Sequence, residues 1–376
     1  MNWFKKIWKS KLSRAWLITA VVILIIGVAV NLVATQNYFI YNTINSVFGG
    51  EIRVHVSGDP SQYMYYTADY EDKAATLAAA NAFNEEIVEE GAVLLKNEGA
   101  GALPIATPES DSSVTTRPRI SVFGKNSVNL VYGGSGSGGS SSAGATTIYE
   151  SLESAGYDCN QELKSFYESS ASGTGRPASP GMGDIIAGFS TGETPISAYS
   201  DVRSSYASDY KDAALIVLSR IGGEGYDLPR TMKTSYGEDA VAIDGANADD
   251  HYLQLDNNER ALVEEVTGAG FSNVTVIVNS ATPMELGELE DNPAINSIVW
   301  IGSMGKTGIN ALGRILNGEI NPSGHTVDTY ARDFTKDPTY NNFGNNNVNN
   351  GNRYLEDGKN RPYYFVEYEE GIYVGY

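Results

Sequence analysis

Residues 16–34 carry no charged side chain, and nineteen residues at a helical rise of about 1.5 Å cover roughly the hydrocarbon core of a bilayer. The run is long enough to cross a membrane once. Lys5, Lys6, Lys9, Lys11 and Arg14 precede it with no acidic residue among them, so the positive-inside rule keeps the N-terminus in the cytoplasm and exports the rest. This reading divides the start of the chain into a basic cytoplasmic tail (1–14), a transmembrane anchor (15–34) and an extracytoplasmic linker (35–70). It places the main domain outside the cell, held by a single pass through the cell membrane. The alternative is a cleaved signal peptide, with residues 17–27 as its apolar region and small residues following at Ala29 and Ala34. Both readings take the bulk of the chain out of the cytoplasm.

About 340 residues follow the anchor, enough for one large domain with a tail or for two smaller ones. Cys159 is the only cysteine, so an internal disulfide is impossible and stability must come from packing. A net charge of -20 excludes nucleic acid as a partner, since phosphate neutralisation needs clustered Lys and Arg. Neutral ligands fit better.

Beyond the linker, with its short strand-like alternation at Ile52, Val54 and Val56, the pattern changes at about residue 71. Leu77, Phe83, Ile87 and Val88 on an Ala-rich background predict an amphipathic helix over 70–90, closed by Gly91 as its C-cap. Short apolar runs then alternate with helical patterns. Strands are predicted at 92–95, 120–123, 213–218, 274–278 and 297–301, and helices at 146–155, 257–267 and 306–316. Strands that are apolar throughout belong to sheets covered on both faces. The predicted fold is therefore an α/β domain over 71–335, a three-layer α/β sandwich with a mostly parallel sheet. Residues 169–206, rich in Gly, Ser and Pro, read as a long surface excursion. Residues 336–376 begin as an Asn- and Tyr-rich loop, turn strand-like from Tyr363, and stop without a cap or polar tail, which reads as a chain cut before a further domain.

Two segments could carry chemistry. Residues 133–139 are Gly-Gly-Ser-Gly-Ser-Gly-Gly and contain GxGxxG from Gly134 to Gly139. A dinucleotide fingerprint must follow a strand directly and open a helix, whereas here the strand ends ten residues earlier. The remaining choices are a flexible surface loop or a loop of small residues that lets backbone amides, with Ser135 and Gly136 among them, approach a polar ligand. In the second segment a buried strand runs into Arg220-Ile221-Gly222-Gly223-Glu224-Gly225-Tyr226-Asp227. Its carboxylates stand at the carboxyl end of a strand, where α/β domains bind ligands. An ordinary solvated acidic turn is the plainer alternative. His55, His251 and His325 lack ligand spacing, so no metal site is expected. Lys96 and Lys125 read as structural.

An ordered set of segments resembles the α/β sandwich domain of glycoside hydrolase family 3, the family of many β-glucosidases and β-xylosidases. The set comprises Glu-Glu-Gly-Ala-Val-Leu-Leu-Lys-Asn-Glu at 89–98, Ala-Leu-Pro-Ile at 102–105, Val-Phe-Gly-Lys-Asn at 122–126, the glycine loop and the Arg220 to Asp227 segment. It continues with Leu-Gln-Leu at 253–255, Val-Asn-Ser-Ala-Thr-Pro-Met at 278–284, Ile-Asn-Pro-Ser-Gly-His at 320–325 and Tyr-Glu-Glu-Gly-Ile-Tyr-Val-Gly-Tyr at 368–376.

The resemblance implies that Glu224 is the general acid/base of retaining hydrolysis at the non-reducing end of neutral oligosaccharides. Arg220 and Asp227 are then supporting residues that orient the loop or touch sugar hydroxyls, with a structural role as an equal alternative. No cofactor is implied. Leu228 stands where a basic residue often follows the aspartate, which weakens any transfer of sugar specificity. The resemblance also implies a (β/α)8 barrel that supplies the nucleophile, which this chain lacks; some members place the barrel after the sandwich. The chain by itself is then expected to be inactive. A tethered sugar-binding module without catalysis is the second reading, and a nucleotide-binding protein the third.

Overall fold

A computed structural model describes residues 11–50, 52, 68–177, 189–224, 228–234, 239–342, 351–356, 359–364 and 371–372. The chain divides into two compact units, Met1–Glu71 and Asp72–Tyr376. In the first, helix α1 (Lys11–Gln36) holds the uncharged run and is long and apolar enough to cross a membrane. Asn37 interrupts it, and α2 (Tyr38–Phe48) follows within the segment read as a linker. Val54, Val56 and His55 lie outside the described residues.

The second unit is built on a mixed six-stranded sheet. Its elements run α3 (Lys73–Gly91), β1 (Val93–Asn97), β2 (Arg119–Phe123), α4 (Ile148–Ser154), β3 (Asp158–Cys159), α5 (Gln161–Glu168), α6 (Arg203–Ala207), β4 (Ala213–Arg220), α7 (Asn257–Gly268), β5 (Val274–Ser280), α8 (Gly287–Glu290), β6 (Ser297–Trp300) and α9 (Asn310–Leu316). In the sheet the order is β1-β6-β5-β4-β2-β3. All neighbours are parallel except β1, which pairs antiparallel with β6 at one edge.

Every residue of β4 and β5 is buried, and successive side chains enter opposite cores because a strand alternates faces. Leu215, Val217, Ile277 and Val299 pack with Ile148, Leu152, Leu312 and Ile315 on one side. Ala214, Ile216, Val276 and Val278 pack with Leu163, Tyr199, Leu262 and Val266 on the other. Burial of each such aliphatic side chain stabilises the fold by about 1.5–3 kcal/mol before chain entropy is subtracted.

Several expectations require correction. Gly91 is the last residue of α3 and not its cap: Ala92 occupies that position in extended geometry (φ -64, ψ 139) because β1 begins at the next residue. Of the apolar residues predicted to bury the helix, only Val88 does so, while Leu77, Phe83 and Ile87 are exposed. Polar side chains dock α3 instead. Asn84 donates to the Met304 carbonyl and accepts from the Gly308 amide, and Glu85 and Glu89 pair with Arg314.

The stretch 169–206 is more than a surface excursion, since Tyr199, Val202 and Tyr206 enter the core. Tyr167 and Tyr199 meet through their hydroxyls at 2.7 Å; residues 178–188 of this stretch lie outside the described set. The tail holds a hairpin of β7 (Gly351–Glu356) and β8 (Lys359–Tyr364) where a loop was expected, while residues 343–350 and 373–376 are not described. Strand β3 and helix α5 had no forecast, because a two-residue strand carries no readable period. Lys96 and Lys125 serve the fold: the Lys96 ammonium donates to the Glu290 and Asn292 carbonyls, and that of Lys125 to Tyr167 and Ser172.

One buried group makes stability depend on pH. Glu193 is buried beneath the β2–loop junction and accepts hydrogen bonds from the amides of Lys125 and Thr194. Burial outweighs those amides and pushes its carboxyl up to about 8 from an ordinary 4.5. A folded-state value above the unfolded one favours the fold fully below about 4.5, and that contribution disappears as pH rises through about 8. Urea midpoints measured across this range are expected to fall less steeply in Glu193→Gln than in the parent chain. Parallel slopes would contradict the assignment.

Candidate active site

The candidate site sits at the carboxyl end of β4, one of the two central strands of the sheet. Arg220, its last residue, is fully buried, and all five of its N–H groups are engaged. Nε donates to the Tyr252 carbonyl at 2.7 Å, and the two terminal nitrogens donate to the Ser219 and Gln254 carbonyls and to both oxygens of Glu259 at 2.7 Å. Burial by itself disfavours the charge, but Glu259 more than offsets it, so the guanidinium pKa is raised. Of the roles the sequence left for Arg220, this geometry serves the structural one and loop orientation, and it leaves no donor for a sugar hydroxyl.

Glu259 is placed by α7, where Asp256 is the N-cap in a reciprocal capping box with Glu259. The Tyr252 hydroxyl then accepts from the Ile221 amide at 2.9 Å. The root of the loop is thereby fixed from below.

Beyond Ile221 the loop meets the glycine segment. Ser135 and Gly223 form a parallel bridge, with the Ser135 amide donating to the Gly222 carbonyl at 3.1 Å. At Gly223, a Cβ would lie 2.4 Å from the Ser135 nitrogen, so no other residue permits this approach. Asn279, at the end of β5, holds the stem of the glycine segment by exchanging hydrogen bonds with both backbone groups of Val131. The two segments singled out in the sequence are thus one structure. The segment does not have the form of a dinucleotide loop, because a 3-10 turn (Gly136–Gly138) lies within it and the next helix starts only at Ile148.

Glu224 stands exposed at the tip and reaches back over this segment. Its Oε2 accepts from the Ser137 amide at 2.7 Å. The Ser137 hydroxyl and amide hold its pKa below the ordinary carboxylate value. Gly136 has φ +69, and a Cβ there would lie 2.6 Å from the Glu224 Cβ. Asp227 lies outside the described residues.

Beside the loop opens a cleft of about 440 Å³ lined by the glycine segment, Tyr132, Arg176 and Ile221. Ser137, Tyr252, Glu259 and Arg176 were all missed as contributors. The Asp256-to-Glu259 capping spacing was the only signal in the sequence for any of them. His251 bonds Glu285 at 2.9 Å and accepts from the Leu253 amide, while His325 is exposed.

The family model described as "Glycosyl hydrolase family 3 C-terminal domain" matches residues 92–376. This chain belongs to glycoside hydrolase family 3. Among its relatives, Beta-glucosidase A of Butyrivibrio fibrisolvens is 30% identical over 295 residues, covering 76% of this chain and 31% of that protein. The Beta-glucosidase of Ruminococcus albus is 28% identical over 293 residues, covering 77% and 25%. The chain therefore spans between a quarter and a third of these two curated relatives. The fold also matches beta-glucosidase 3B from Thermotoga neapolitana, solved in complex with glycerol, with a TM-score of 0.53 at 24% identity over 75% of this chain and 34% of that one. At that identity the likeness shows the fold alone.

Proposed function

We propose that this chain is the acid/base half of a membrane-anchored, retaining family 3 glycosidase of β-glucosidase type, with Glu224 as its general acid/base. The observation that carries this reading is the position of Glu224. It projects from the end of a central strand on a loop clamped to the glycine segment, inside the region that matches the family. Such a carboxyl group must be protonated to donate to the glycosidic oxygen and then ionised to activate water. A nucleophilic carboxylate must stand about 5–5.5 Å away, and we assign it to a barrel domain joined to or assembled with this one. Docking of that barrel would bury Glu224 and set a second negative charge beside it, and both raise a carboxyl pKa.

Ser135, Gly136 and Asp227 are proposed to meet the sugar. In the assembled enzyme, Gly136→Ala is expected to displace Glu224 and lower turnover about 100-fold. The strain of a Cβ at positive φ costs about 1–2 kcal/mol, so thermal unfolding should move little. Unchanged turnover would remove Gly136 from the site.

One observation favours a second reading, a tethered sugar-binding module without catalysis: the Ser137 donors hold Glu224 ionised in this chain. Two measurements separate the readings. The first is the mass of the native protein extracted from its own membranes. A mass far above 40.4 kDa supports a barrel in the same polypeptide; a matching mass together with glucose affinity unchanged in Glu224→Gln supports the binding module. The second is protease added to intact spheroplasts, which should remove the main domain. Its protection would contradict the proposed topology.

A further inference from the structure

We infer that α2 is an interfacial helix, lying with one apolar stripe in the headgroup boundary of the membrane that α1 crosses; this rests on the anchoring reading above. Asn37 alone separates the two helices. It is 3 residues past Ala34, the end of the segment read as the anchor, so α2 starts about 6 Å beyond that residue, within the headgroup layer of roughly 5–7 Å on each side of the core. Asn37 has extended geometry (φ -90, ψ 109), so α2 does not continue the axis of α1. It is a separate helix with both ends closed. The Asn37 side chain accepts from the Ile40 amide, and Gly49 in the left-handed region donates to the Asn45 carbonyl.

Within α2, Ile40, Ile44, Val47 and Phe48 recur at the i, i+4, i+7, i+8 spacing of a single helical face. Asn42 and Ser46 fall on the opposite side, and Asn45 flanks the stripe beside Phe48. Tyr38 and Phe39, at the start of the helix, lie off the stripe. Val47 and Phe48 are 73% and 83% exposed, which in water would leave two large apolar side chains solvated at the end of the helix. A helix leaving the bilayer along its normal would carry Phe48 about 16 Å away into water. Lying along the surface, the same helix buries the stripe and turns Asn42 and Ser46 toward the water. The helix contains no charged residue. The partner surface is therefore the acyl–headgroup boundary of any bilayer, without preference for anionic lipid.

The test uses the full chain reconstituted in phosphatidylcholine vesicles. Cys159, the only cysteine and a buried one, is replaced by alanine, and single cysteines are placed at 25, 42, 44, 46, 47 and 48 for spin labelling. Accessibility to oxygen and to a water-soluble nickel chelate is then read at each site. Labels at 44, 47 and 48 are expected to show a several-fold higher oxygen-to-nickel ratio than labels at 42 and 46, with the same result when phosphatidylserine is added. Equal nickel access at all five positions, with residue 25 still protected, would overturn the interfacial helix and leave the anchor standing. Nickel access at residue 25, or a mature protein lacking it, would overturn the anchor and this inference with it.

Discussion

In an enzyme assembled with its barrel, Glu224→Gln is expected to lower kcat/KM by about 10²–10⁴-fold toward glycosides with poor leaving groups. Activated aryl glycosides, whose leaving groups need no proton, should lose far less. Glutamine keeps the volume of the side chain and an oxygen to accept the Ser137 amide hydrogen bond, so the loop should keep its shape and KM should change little. What disappears is the proton. The alkaline limb of the pH profile, which reports deprotonation of the acid, should vanish in the variant. Azide should restore release of the glycosyl intermediate, because it attacks without a general base. Equal losses across leaving groups with an unchanged pH profile would assign Glu224 to binding.

The largest stability effect is expected at Arg220. Its ion pair with Glu259 is fully buried on both sides, and removing one partner leaves the other charge unsolvated, a loss of about 3–5 kcal/mol. Arg220→Met also removes the donors to the Tyr252 and Gln254 carbonyls. Chemical denaturation of the detergent-solubilised chain should show this as a lowered midpoint for the second unit. The double variant Arg220→Met, Glu259→Leu should lose clearly less than the sum of the two single changes, because no lone charge remains. Strict additivity would mean that the pair does not act as a unit. Loss of the pair should also loosen the root of the Glu224 loop, since Tyr252 both receives the Arg220 bond and holds the Ile221 amide.

Much of the sheet was legible because β4, β5 and β6 each carry a continuous apolar run (213–218, 276–278 and 298–300), the pattern of strands in a sheet covered on both faces. The capping boxes at Thr147 and Asp256 likewise mark the starts of α4 and α7 in local residues. The docking of α3 was not legible. Its apolar residues pointed to hydrophobic packing, yet Asn84 and two glutamates make the contacts, and such partners lie more than 200 residues away. The core role of Tyr199 and Tyr206 was hidden because they sit in a segment with no regular period, with partners 32 and 59 residues away.

At the site itself, the residues determined that Glu224 stands among glycines after a buried strand, and the order of segments determined the family. Local sequence carries this information because strand burial, caps and glycine requirements act over a few residues. Only the tertiary structure decided that the glycine segment is Glu224's support, that Ser137 holds its charge, and that Arg220 belongs to the core. Each of those rests on a contact closed across 32 to 89 residues of chain. Such a contact is fixed by the parallel register of β2 and β4 and by the free energy of burying Arg220 only where Glu259 can meet it.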